Sequence, residues 1–148
     1  MILFLGTIFT IALLSVCSIF TGSIMMYFDF ISLSSLLVSL LYFHWISDDH
    51  ALGNYIRASF TKNYEYSAME LDDISRSAKS SLIVSLGTSG FLSVTTIIAI
   101  LHNIDNLEML SANLSVGLSG LLYALGIGFF IFYPLKIWAE RKKHNLSL

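Results

Sequence analysis

The chain is poor in charge. Only 12% of its 148 residues are Asp, Glu, Lys or Arg, about half the share found in soluble domains. The formal net charge is −2, so there is no basic surface for nucleic acid, and no such partner is expected. A single cysteine, Cys17, excludes an internal disulfide and leaves the redox compartment unread. There is one proline, Pro134, and long runs lack turn signals altogether. No glycine loop is built to cradle phosphate. His44, His50, His102 and His144 have no metal spacing between them. No catalytic constellation emerges, so neither an enzyme nor a metal or cofactor site is expected. What the chain has is apolar surface: 55% hydrophobic residues and a mean hydropathy of +0.76. A soluble domain of this size cannot hide that much; a bilayer can.

A hydrocarbon core of ~30 Å and a rise of ~1.5 Å per residue require about 20 apolar residues per span. Four segments qualify: about Ile2–Phe20, Ile24–Ile46, Leu82–Leu101 and Leu114–Trp138. The expected fold is all-α and integral to the membrane, with four transmembrane helices. Residues 1–47 hold the first two helices, 48–80 a short cytoplasmic helical segment, 81–138 the last two helices, and 139–148 a tail. All eight Lys and Arg residues fall in two places. Arg57, Lys62, Arg76 and Lys79 lie between the second and third spans; Lys136, Arg141, Lys142 and Lys143 end the fourth. By the positive-inside rule both regions are cytoplasmic, and four crossings make the N-terminus cytoplasmic too. Trp45 and Trp138 then both lie at the cytoplasmic interface. The first span lacks a basic n-region and a small-residue cleavage site, so a retained helix is expected.

In the segment 48–80, Leu52, Tyr55, Ile56 and Phe60 recur at helical spacing, which predicts an amphipathic continuation of the second span. Ser67 and Glu70 fit a capping box that opens the next helix. Asp72 and Arg76 follow at i, i+4. This helix is expected to run directly into the third span. Asp48, Asp49 and His50 fit helix capping better than a site.

Two stripes stand out. In the third span Ser85, Ser89, Ser93 and Thr96 share one helical face, and in the fourth Gly120, Ala124 and Gly128 repeat every four residues. Small residues allow close helix approach, and hydroxyls bond back to their own helix. The other reading of the hydroxyl stripe is a polar lining for an ion path. No Asp, Glu, Lys or Arg lies mid-membrane, where ion paths usually carry one. If this chain moves ions, another chain is expected to bring that group.

Two stretches resemble a known family. Gly22-Ser23-Ile24, Met26, Asp29 and Ser32 are similar to the short outer loop and second-helix start of flagellar stator A subunits. These form the MotA/PomA branch of the MotA–TolQ–ExbB family. Leu101-His102-Asn103-Ile104-Asp105, and the run from Tyr123 to Phe132, Tyr133 and Pro134, resemble that family's outer loop and fourth helix. The likeness covers over half the chain. It implies a homo-oligomer of five A subunits around two copies of a single-span B subunit bearing a membrane aspartate, in the bacterial inner (cytoplasmic) membrane. It also implies an ion path in which Ser93 stands at the family's third-helix threonine and keeps a hydroxyl. Leu121 stands at the second threonine and does not, so protons are expected rather than sodium. Leu86 replaces a family proline. The large rotor-contacting cytoplasmic domain is missing, so the driven partner is expected to be something other than, or besides, the flagellar rotor. In such a ring the third and fourth helices would line the axis, and the Gly120, Ala124 and Gly128 face would meet the next subunit. The alternative is a non-conducting assembly or packing protein that uses those same residues, with Pro134, as a helix interface.

Overall fold

The computed structural model describes residues 29–47, 50–60, 64–102 and 107–146, together with Ile8, Phe9, Ile11, Ala12 and Ser15. Most of the expected first span, and the short outer loop after it, lie outside the described residues. Every element among them is helical: α1 (Phe30–Ile46), α2 (Ala51–Ser59), α3 (Ala68–His102), α4 (Leu107–Ile127), a π-helical turn (Gly128–Phe132) and α5 (Tyr133–Leu146). Among the described residues two helices, Ala68–His102 and Leu114–Leu146, are long and apolar enough to cross a membrane. A third crossing is added if α1 and α2 count as one bent span.

Asp29 fixes where α1 begins. Its backbone is extended, and Oδ1 accepts the Ile31 N–H at 3.1 Å, satisfying one of the unpaired donors of the first turn. The Ser32 hydroxyl donates to the other carboxylate oxygen. At the far end the Ser47 N–H and hydroxyl both donate to the Phe43 carbonyl, at 3.0 and 2.7 Å. The chain then turns, and α2 leaves at 103° to α1. The stretch from Leu52 to Phe60 is therefore a separate helix and not the continuation of the second span that its periodicity predicts. Packing explains the difference. Tyr55 is 3% exposed and closes a cluster with Leu71, Ile74, Ala78, Leu135 and Ala139. A straight continuation would carry that ring out into water.

The capping box forms as expected. Ser67 N–H donates to Glu70 Oε2 at 2.8 Å, and Glu70 N–H donates to Ser67 Oγ at 3.2 Å. The 35 residues of α3 then run unbroken, about 52 Å, well beyond a ~30 Å hydrocarbon core. Asp72 meets Arg76 at 3.1 Å, and also Lys143 of α5 at 2.6 Å.

Pro134 offers no N–H and its ring crowds the carbonyl four residues back. The turn before it is widened to π geometry, with the Tyr133 N–H donating to the Gly128 carbonyl. The helix continues through α5 without ending. Phe130 in this turn stacks edge-on against Phe9, with centroids 4.9 Å apart.

The helices α3 and α4–α5 are antiparallel neighbours. Thr96 lies against Gly117, Leu92 against Gly120, and Leu82 against Gly128. Further along, Ser75 donates to Glu140 at 3.1 Å. The axis of α1 lies beside both, with Leu36 and Leu40 packed on Ala124 and Phe132.

Candidate functional site

The inner face of α3 carries the hydroxyl stripe, and it is longer than the sequence pattern predicts. Ser77, Ser81, Ser85, Ser89 and Thr96 are all buried, and Ser93 is half-buried. From Ser77 to Thr96 the stripe spans about 28 Å, close to the full hydrocarbon thickness. Most of these hydroxyls turn back on their own helix. Ser81 donates to Ser77 O at 2.9 Å, Ser85 to Leu82 O at 2.9 Å, Ser93 to Ser89 O at 2.9 Å and Thr96 to Leu92 O at 2.8 Å. Ser93 also reaches across to the Gly117 carbonyl of α4 at 3.3 Å. The Oγ atoms of Ser77 and Ser89 are buried without a hydrogen-bond partner among the described residues.

What closes over this stripe is the small-residue face of α4. Gly120, Ala124 and Gly128 are buried against helices of the same chain, not left open for a neighbouring subunit. A Cβ on Gly117 would stand 3.0 Å from both Cβ and Cγ2 of Thr96. Only hydrogen fits there without movement. Leu121, one turn after Gly117, stands at the rim of the small-residue face and is 41% exposed, not buried under the stripe. The structure thus brings three of the four expected path residues onto one face and leaves the fourth outside. Pro134 is half-buried just after the π turn.

At the end of the bundle away from the basic groups, α1 is tied to α4. Ser32 Oγ lies 2.8 Å from the Val116 carbonyl, and the Asp29 N–H donates to the Tyr123 hydroxyl at 2.7 Å. At the other end His44 Nε2 lies 2.9 Å from Ser81 Oγ. Beyond it opens a cleft of about 500 Å³ under the α1–α2 bend, walled by Phe43, His50, Asn54, Tyr55, Tyr66 and Asp73, with Ser77 among its lining residues. The stripe therefore starts at a polar cleft and ends beside Asp29.

The ionisable groups gather at the basic end. The Tyr64 hydroxyl, then the Ser67 backbone and hydroxyl, hold the Glu70 carboxyl below the usual carboxylate range. The same bond to Glu70 pushes the Tyr64 phenol up. Lys143, with Arg76 behind it, lowers Asp72. Lys142 sits over the rings of Tyr66 and Trp138, at 4.5 and 5.5 Å from their centroids. Among the described residues no group of three or more His, Cys, Asp or Glu is placed to hold a metal ion.

Sequence patterns missed several members of this arrangement. Ser77 and Ser81 extend the four-residue period of Ser85 backwards, and Gly117 extends the spacing of Gly120. Both signals were available. Ser32 and Tyr123 stood out only through the family resemblance; no local pattern marks their ties, whose partners lie 84 and 94 residues away.

No protein-family model, curated protein or solved structure matches the chain.

Proposed function

We propose that the chain is an A-type subunit of a proton-driven membrane motor or channel of MotA/TolQ/ExbB type. In this reading five copies ring two copies of a single-span partner whose membrane aspartate carries the proton. The chain crosses the bacterial inner membrane four times with both termini in the cytoplasm. One observation carries the reading. Between Asp29 at one end and the cluster of Asp72, Glu140 and Lys143 at the other, the polar groups of the interior, among the described residues, are hydroxyls and the His44 imidazole, with no carboxylate. Such a unit is a frame for a path that another chain completes, because an ion in hydrocarbon needs a group to meet its charge. The topology draws support from Asp72–Lys143 and Ser75–Glu140, which join the two basic regions at one end of the bundle.

A second reading is a non-conducting assembly protein. It is favoured by the four hydroxyls that satisfy their own helix carbonyls and so need neither water nor an ion. Reconstitution separates the two. The full chain alone in liposomes should leave an imposed pH gradient intact. With a single-span partner bearing a membrane aspartate the gradient should collapse. Rapid collapse with the chain alone removes the shared-path reading. No collapse with any co-purified partner leaves the assembly protein.

A further inference from the structure

The two edges of α2 differ in a way that the bundle does not use. Tyr55 turns into the protein and is covered. On one edge Leu52, Ile56 and Phe60 form a row at i, i+4 and i+8. The bond from Phe60 N–H to Arg57 O, at 3.3 Å, carries the last turn as far as Phe60. On the other edge Asn54 lines the polar cleft and Arg57 is exposed.

The row can be placed from its first member. Leu52 packs against both apolar clusters: the one around Tyr55 at the basic end, and the one formed by Leu36, Leu40, Ala124 and Phe132 between the long helices. It therefore marks the level at which the apolar bundle meets its basic end. Ile56 and Phe60 continue the row from that level, 47% and 89% exposed. The 103° turn from α1 lays the row across the end of the bundle rather than along it. The neighbouring outer face of α1 is apolar to its last turn, with Leu41, Trp45 and Ile46 all exposed and Trp45 80% so. Exposed apolar residues thus stand both on the flank of α1 and on the edge of α2. An indole marks the corner, as at membrane–water interfaces.

We propose that α2 is an interfacial helix, with Ile56 and Phe60 seated in the acyl boundary of the leaflet at the basic end and Arg57 at the lipid phosphates. A helix with an apolar edge beside a cationic one lies in this plane, its apolar residues about 5–10 Å below the headgroup boundary. The long stem of Arg57 lets its charge reach the phosphates while the neighbouring residues stay in hydrocarbon. The contact anchors the α1–α2 bend and hence one wall of the cleft. It does not depend on whether the chain joins a motor complex.

The test uses the full chain, reconstituted in phosphatidylethanolamine–phosphatidylglycerol bilayers on a Cys17→Ser background. Single cysteines are introduced by Asn54→Cys, Ile56→Cys, Arg57→Cys and Phe60→Cys, each spin-labelled. All four positions are surface positions, so folding is retained. Power saturation then compares collisions with oxygen, which concentrates in acyl chains, and with a water-soluble nickel chelate. Labels at 56 and 60 are expected to favour oxygen several-fold, and labels at 54 and 57 to favour nickel. Equal nickel access at all four positions would make α2 a solvated helix and overturn the proposal. Labels at 56 and 60 shielded from both reagents, with dipolar broadening between copies, would show a second copy of the chain there and overturn it equally.

Discussion

Gly117→Ala and Gly120→Ala add the same methyl group to the same helix, three residues apart, with opposite expected outcomes. At Gly117 the new Cβ would stand 3.0 Å from Thr96 Cβ and Cγ2 and 3.1 Å from its Oγ1. Ordinary carbon contacts lie at about 3.5–4.0 Å, so α3 and α4 must part by roughly 0.5–1 Å. Threonine is branched at Cβ and cannot swing clear. Overpacking of this kind costs about 1–3 kcal/mol, while alanine in place of glycine in a helix contributes about 1 kcal/mol in return. The net is a loss of about 0–2 kcal/mol, or up to roughly 8 °C in Tm for a chain of this length. At Gly120 the nearest atoms are Leu92 Cδ1 at 3.5 Å and Ser32 Cβ at 3.7 Å. That is ordinary contact, so the variant is neutral or gains up to about 1 kcal/mol. Thermal unfolding in mild detergent, followed by the fluorescence of half-buried Trp138, ranks the two. Adding Thr96→Ser to Gly117→Ala removes the Cγ2 contact and should recover part of the loss. A Gly117→Ala protein as stable as Gly120→Ala would refute the close approach of α3 and α4 at the stripe.

The remaining expectations follow from the same contacts. Ser93→Thr is expected to keep function and Ser93→Val to impair it at normal expression, because valine matches threonine in shape and lacks the hydroxyl that reaches Gly117 O. Wild-type function in Ser93→Val would leave the residue a packing role only. Ser89→Ala removes a buried hydroxyl without a partner, so Tm in detergent should hold or rise by up to a few degrees, since such a group costs about 1–3 kcal/mol. A clear drop in Tm would reveal a hydrogen-bond partner for Ser89. Glu70 and Asp72 have lowered folded pKa values. The stability they contribute is present above their unfolded values, near 4, and is lost as pH falls through the folded values. An acid titration should loosen the basic end below about pH 4, and Lys143→Met should lessen that pH dependence. An unchanged acid profile in the variant would count against the Asp72–Lys143 tie.

What the sequence showed was what is local. Ser67 and Glu70 sit three residues apart, Asp72 and Arg76 four, and the chemistry of each pair is complete within one helical turn. The passage of α3 into its span was legible for the same reason, since no proline lies between Ala68 and His102. Direction was not legible. The apolar period of Leu52, Tyr55, Ile56 and Phe60 continues across a 103° turn, because periodicity fixes a face and says nothing of where the axis points. The hydroxyl stripe shows the same limit. Its face was readable, but its neighbour was not. Whether the stripe meets a central axis or Gly117 of its own chain depends on contacts across the fold. The ties of Asp29 to Tyr123 and Ser32 to Val116 are of that kind as well.

The central claim is that copies of this chain form a ring around a partner helix. Native mass spectrometry of the complex extracted in mild detergent counts the chains directly. The account predicts five copies of this chain with two copies of a single-span protein. A stable monomer or two-fold dimer, with no higher species at any detergent level, would contradict it.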